Sequence, residues 1–317
     1  GYNTCCPAAT ANNQLNIGGL LFGTLPATST AFRLPTTGSL GVGSSSPFAK
    51  LSIHTNNGDT ATTLFAIGSS TASATSTLFS ISNTGFVSAP SATGGYQLDG
   101  VNVLTGSTTR NNYFFGGATT SRNLLGSYNY AIGEYAMFNA TSSSFTHNFA
   151  VGLGALAGND WFGPETVTGD DNIAIGRYAL NFNKSGSSNI ALGSNALGIN
   201  SYGYGNIGIG PYSIYNNESG DYNVGLSEYA LFTNETGSYN LAIGKDALYS
   251  NTSGWRNSSF GEAALVANTT GFYNTALGYR ANLTGTVGTS TTILGSFADV
   301  GLGNLSTSTA IGAGALV

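Results

Sequence analysis

Asn172-Ile-Ala-Ile-Gly-Arg-Tyr-Ala-Leu180 carries the pattern that decides the fold. Its glycine, Gly176, recurs as Gly193, Gly210, Gly244, Gly261, Gly278, Gly295 and Gly312 in a strict 17-residue register, and Ser227 fills the one gap. Two earlier copies centre on Gly133 and Gly152, with spacings of 19 and then 24 residues to the next. A fixed period of this length over eleven copies signifies a stacked, quasi-one-dimensional architecture.

The columns of the repeat have physical meaning. The residue before the glycine is always apolar, and Ile175, Leu192, Ile209, Leu226, Ile243 and Leu277 are expected to stack as a core column. One residue earlier the side chain is small in nearly every copy, Ile293 being the exception. Ala or Ser, then usually Leu or Ile, begins three residues after the glycine. Such alternation is a strand period, and the glycines exclude a continuous helix. Stacked in register, the coils bring like residues above one another at ~4.8 Å. Asn172, Asn189, Asn206, Asn223, Asn240, Asn257 and Asn274 then form a hydrogen-bonded amide ladder. A second glycine, as in Gly169, Gly186 and Gly203, is expected at positive φ. Asn183, Asn200, Asn217, Asn234, Asn251 and Asn268 open the same turn. One coil thus reads as two short strands and two turns of an all-β parallel β-roll or β-solenoid.

Composition narrows the function classes. Charged residues make up 7% of the chain, against roughly 25% in an ordinary soluble domain. The 17 Tyr and 17 Phe argue against disorder. A net charge of −5 with nine basic residues leaves no electrostatic footprint for nucleic acid. No apolar run approaches the ~20 residues of a membrane span. A chain that begins at Gly1 reads as a mature product exported from the cytoplasm, which makes an extracellular or cell-surface location the expectation. Cys5 and Cys6 are adjacent and fit an intrachain bridge poorly. They are candidates for an interchain disulfide, or two free thiols.

Asn-x-Ala-Ile-Gly-x-x-Ala-Leu resembles the head repeat of the YadA-like trimeric autotransporter adhesins over about 129–317. That resemblance implies a left-handed parallel β-roll in which three chains associate through apolar faces. The family's unit is usually shorter, which implies a larger turn here, and its coiled-coil stalk and membrane-anchor barrel are not seen in this sequence. Residues 1–120 lack the period. Gly41-Val-Gly-Ser-Ser-Ser-Pro-Phe-Ala-Lys-Leu-Ser-Ile53 resembles the shaft motif of phage tail fibres, and Gly95-Tyr-Gln-Leu-Asp-Gly-Val-Asn-Val-Leu104 is similar to a segment between fibre modules. Thr63-Leu-Phe-Ala-Ile67 is echoed 14 residues later by Thr77-Leu-Phe-Ser-Ile81. The organisation expected is an extended arm or linker over 1–35, a short-stranded β shaft over 36–120 and the β-roll over 121–317.

Chemistry-bearing constellations are sparse. His54 and His147 stand in different regions with no ligand spacing around them, so neither a catalytic site nor a cofactor is expected. The insertion between Gly152 and Gly176 gathers Asp160, Glu165, Asp170 and Asp171 beside Trp161. It reads either as a loop binding sugar through Trp161, or Ca²⁺ through Asp170, Asp171 and their neighbours, or as a solvated loop over an irregular coil. Asn183, Asn217, Asn234, Asn251 and Asn268 each begin an Asn-x-Ser/Thr triplet, which is either a glycan acceptor or a by-product of turn chemistry. Glu228, Lys245 and Glu262 occupy one column in alternating sign.

These features point to a non-enzymatic structural subunit of an extracellular trimeric fibre, with itself as principal partner and a host surface or glycan as receptor. The repeat breaks off at Ala310-Ile-Gly-Ala-Gly-Ala-Leu-Val317, from which head-to-tail assembly into a filament is expected. Alternatives are a phage tail fibre or receptor-binding protein and, more remotely, a polysaccharide depolymerase using paired carboxylates.

Overall fold

The computed structural model describes residues 110–116, 126–140, 144–158, 167–301 and 305–317 in full, and upstream of them the backbone of the strands. The chain forms two compact units, Gly1–Gly94 and Gly95–Val317. In the first, β1 (Gln14–Ile17), β2 (Leu21–Thr24), β3 (Leu40–Val42) and β4 (Leu51–Ile53) make one sheet in that order. The two ends of the shaft-like motif are its parallel pair, β3 and β4. A second sheet holds β5 (Thr63–Thr71), β6 (Ala74–Ser82) and β7 (Val87–Ser88). The 14-residue echo is explained there, since its two copies are the arms of one hairpin with Phe65 opposite Ile81 and Ile67 opposite Phe79.

The second unit is a parallel β-solenoid. Its hairpin, β8 (Tyr96–Leu98) and β9 (Val101–Ser107), is the stretch similar to an inter-module segment, and β9 pairs antiparallel with β10 (Asn112–Phe115). Every later pairing is parallel and in register. The strands are β11 (Tyr130–Ile132), β12 (Phe149–Val151), β13 (Ile173–Ile175), β14 (Ile190–Leu192), β15 (Ile207–Ile209) and β16 (Val224–Leu226). They continue as β17 (Leu241–Ile243), β18 (Ser258–Phe260), β19 (Thr275–Leu277), β20 (Thr292–Leu294) and β21 (Thr309–Ile311). This unit spans Gly95–Val317 and holds, at β10, one coil ahead of the eleven copies of the repeat. Asn112-Tyr-Phe-Phe-Gly116 lies 17 residues before Gly133 and keeps the asparagine and the glycine, but Phe114 replaces the small residue.

Burial corrects the expected core column. Along each three-residue strand only the middle side chain points inward, so Ala174 is 0% exposed while Ile175, Ile209 and Leu277 are 38%, 39% and 52% exposed. Leu192, Leu226 and Ile243 are half-buried on the same outward face. They do stack in register, but outside the coil. The reason is space: a 17-residue coil is narrow, and strand alternation sends residues on either side of the inward one outward. The true core is the column Met137, Leu156, Leu180, Leu197, Ile214, Leu231, Leu248 and Leu265, packed with the strand centres, mostly alanine, and with the alanines before the leucines. In the coil of Gly295 the leucine position is Asp299, which is not buried, and Ile293 brings the missing bulk from the strand. Ile293 is thus, with Phe114, a large residue in the small column, as the volume conservation of cores allows.

The expected second strand is absent from the described coils. The Ala179-Leu180 segment is a turn whose peptide groups still bond between coils: Tyr178 N–H donates to Leu153 O at 2.9 Å, and Leu180 N–H to Ala196 O at 3.0 Å. Tyr178 and Leu180 adopt φ of 58° and 50°, so alternate residues turn the chain in the left-handed region. The roles of the two glycines also exchange. Gly176 needs the positive φ, at 136°, whereas Gly186 does not have one and is glycine for lack of room.

Ser227 holds the anchor position at φ 129°, a region that costs an L-residue of order 1 kcal/mol or more. Ser227→Gly should therefore raise the unfolding free energy by about 1 kcal/mol. Gly244→Ser should lower it by at least as much. Denaturant unfolding of the two variants checks the sign of each.

Candidate functional site

The asparagines read as a ladder form one, and are almost completely buried. Asn189 donates its backbone N–H and its Nδ2 to Asn172 Oδ1 at 3.0 and 3.1 Å. The backbone bond repeats at each step to Asn274, beyond which Thr291 donates its N–H and Oγ1 to Asn274 Oδ1. At the other end the ladder runs back through Asn148 and Asn129 to Asn112.

The asparagines that open the turn make a second ladder. Asn200, Asn217, Asn234, Asn251 and Asn268 each donate Nδ2 to the Oδ1 one coil earlier, at 2.7 to 3.0 Å. The ladders meet at the turn glycine. Gly220 O accepts from Asn206 Nδ2 at 2.8 Å and from Asn217 Nδ2 at 2.7 Å, and Gly186, Gly203, Gly237, Gly254 and Gly271 repeat the arrangement. A Cβ on Gly220 would stand 2.2 Å from Gly237 O and 2.5 Å from Asn217 Oδ1. Crowding by the ladders, not backbone conformation, excludes a side chain. The same geometry decides the Asn-x-Ser/Thr question. Asn217, Asn234, Asn251 and Asn268 are 0% exposed and Asn183 is 1%, and from Asn217 onward both amide hydrogens are engaged. These are packed structural groups and not glycan acceptors.

Of the ligand loop, Trp161 and its neighbours lie outside the described residues, as do Cys5 and Cys6. Asp170 and Asp171 diverge. Asp170 Oδ1 accepts the Thr146 N–H at 2.7 Å, and its own N–H donates to Ser187 Oγ at 3.0 Å, so it joins neighbouring coils. Asp171, at φ 56°, is exposed, with Oδ1 4.0 Å from His147 Nδ1. Among the described residues no three His, Cys, Asp or Glu side chains converge, and no helix is long and apolar enough to cross a membrane. Lys245 Nζ lies 3.2 Å from Glu228 Oε2 at the surface, and that hydrogen bond pushes the Lys245 ammonium above its usual range.

Two surfaces stand out. One is the outward strand face, carrying no charge from β10 to β21 and aliphatic or aromatic at both positions from Tyr113 to Ile243. Ser258, Thr275, Thr292 and Thr309 then take one of its two columns. The other is a set of aromatic columns at the turns. Tyr222 stacks on Tyr239 at 5.2 Å, and Arg256 lies over Tyr239 and Tyr273. Tyr215, Phe232 and Tyr249 form a stack with centroid steps of 5.4 and 5.1 Å. Each of these columns keeps the 17-residue step but runs through only a few coils, so it is less visible in the sequence than the asparagines.

Asn223→Ala should cost about 2–4 kcal/mol, because it leaves the Asn240 donors buried and unpaired. Urea unfolding measures it. Intact mass from a glycosylating host should show no hexose-containing adduct at Asn217 or Asn234.

Comparison with family models, curated proteins and solved structures finds no match to this chain, so the reading of its function rests on the solenoid and its surfaces.

Proposed function

We propose that this protein is a structural subunit of an extracellular fibre in which three copies meet along their outward strand faces. The observation that carries the reading is that face. Twelve parallel strands at ~4.8 Å spacing make a strip about 50 Å long. Ile132, Ile173, Ile175 and Ile209 are each more than a third exposed on it, with no charge between them. Monomeric proteins seldom leave an apolar patch of that extent in water. A partner that keeps contact along the strip must repeat at the rise of these coils, and another copy of the solenoid does. The sequence resemblance to YadA-like adhesin heads leads to the same arrangement, with three chains and a left-handed roll.

A structural and adhesive role, without catalysis, agrees with how the polar side chains are used. The asparagines repeated from coil to coil as far as Asn274 are spent on coil-to-coil bonds, leaving the surface to vary. Location outside the cell follows from the fibre role.

Light scattering after size exclusion should return three times the chain mass. Leu226→Glu together with Ile243→Glu should give monomers with an unchanged far-ultraviolet spectrum. Wild-type monomers at micromolar concentration would remove the trimer from the proposal.

A further inference from the structure

Two positions, second and fifth after the anchor glycine, form adjoining columns on the outside of the turns. In the coils of Gly210 and Ser227 both are aromatic, Tyr212 with Tyr215 and Tyr229 with Phe232, and the rings stack at 5.5 and 5.4 Å into a closed wall. In the coil of Gly152 the same positions are Gly154 and Ala157, and in that of Gly193 they are Asn195 and Gly198. The wall is cut there by a groove of about 450 Å³. Its aromatic rim includes Tyr135, Phe138, Tyr178 and Tyr215. Two rings settle where glycine leaves room. Tyr178 Cδ1 lies 2.5 Å from where a Cβ on Gly154 would stand, and Tyr215 Cε2 lies 2.6 Å from that of Gly198.

The polar lining is made of amides. Asn139, Asn181 and Asn195 face the groove among the rings, and among the described residues no carboxylate or ammonium lines it. Asn139 is 5% exposed and donates Nδ2 to Gly158 O, but its Oδ1 is buried without a hydrogen-bond partner. An orphaned buried acceptor costs about 1–3 kcal/mol. A donor delivered into the groove removes that cost.

We infer that this groove binds a neutral oligosaccharide. Flat apolar rings offer faces for the C–H side of a pyranose, and uncharged amides match hydroxyl groups that both donate and accept. A hydroxyl supplies the donor that Asn139 Oδ1 lacks. An uncharged lining among the described residues disfavours anionic sugars and charged peptides, which would be desolvated without a counter-charge. The volume falls in the range of roughly 300–1,000 Å³ typical of small-molecule sites. The groove is independent of the trimer proposal, since it is lined by turn residues and by none of the outward strand residues.

The test is titration calorimetry of the full chain against maltohexaose, cellohexaose, laminarihexaose, mannohexaose and chitohexaose. At least one is expected to bind. Tyr135→Ala combined with Tyr178→Ala should weaken that binding tenfold or more with the chain still folded, since both residues are more than a third exposed. Tyr135→Ala alone serves if the pair does not fold, with a smaller loss expected. Asn139→Ala should weaken binding severalfold, and Tyr222→Ala, outside the groove, should leave it intact. Failure of all five sugars to bind overturns the inference. So does binding that survives Tyr135→Ala and Asn139→Ala, or that is lost equally in Tyr222→Ala.

Discussion

The glycine carbonyl that closes each coil accepts two side-chain amides at once, and the solenoid depends on that shared acceptor. A coil of 17 residues encloses little more than two alanines and a leucine. Apolar burial per coil is small, and the polar backbone next to it cannot reach water. One amide column comes from the start of the strand and the other from the turn, and both donate to the same oxygen. Buried carbonyls have two lone pairs and are costly when left unpaired. Here both are filled, in the same way, at six successive turn glycines from Gly186 to Gly271.

Other features follow from this junction. The turn must bring the Gly220 carbonyl within reach of Asn206 and Asn217, which leaves no volume for a side chain on the glycine. The strand shrinks to three residues, because the turns that complete the coil consume the remainder of the unit. Placing Ala179 and Leu180 inward from such a short path requires residues such as Tyr178 and Leu180 at positive φ, where glycine or asparagine would cost less. Stacking offsets that strain, since each such residue also donates its N–H to a neighbouring coil. Stability of this kind is shared between neighbours, and no single coil would hold its shape alone.

Much of this was legible in the sequence, and the misreadings have definite causes. The period and the asparagine ladder were plain because identical side chains must stack to bond. The inward direction was not, because Ala174 and Ile175 alternate equally well with either one inside. Size suggested isoleucine, while beside a leucine or isoleucine from the turn the narrow coil takes a small residue, alanine, glycine or serine, at the strand centre. The two glycines were confused because sequence cannot separate a need for positive φ, as at Gly176, from a need for space, as at Gly186. The coil at Asn112–Gly116 was overlooked since Phe114 departs from the small column. The groove left no trace because it consists of missing side chains, at Gly154 and Gly198, among aromatic neighbours.

The buried ladders also bear on durability. Asparagine is among the least chemically stable residues, and loses its amide when the side chain can swing onto the following peptide nitrogen. In this chain Asn200, Asn217, Asn234, Asn251 and Asn268 are protected from that reaction, held on both amide hydrogens and sealed from solvent. An asparagine-rich framework that would age quickly as a loose loop becomes, once wound, a material suited to long service without repair.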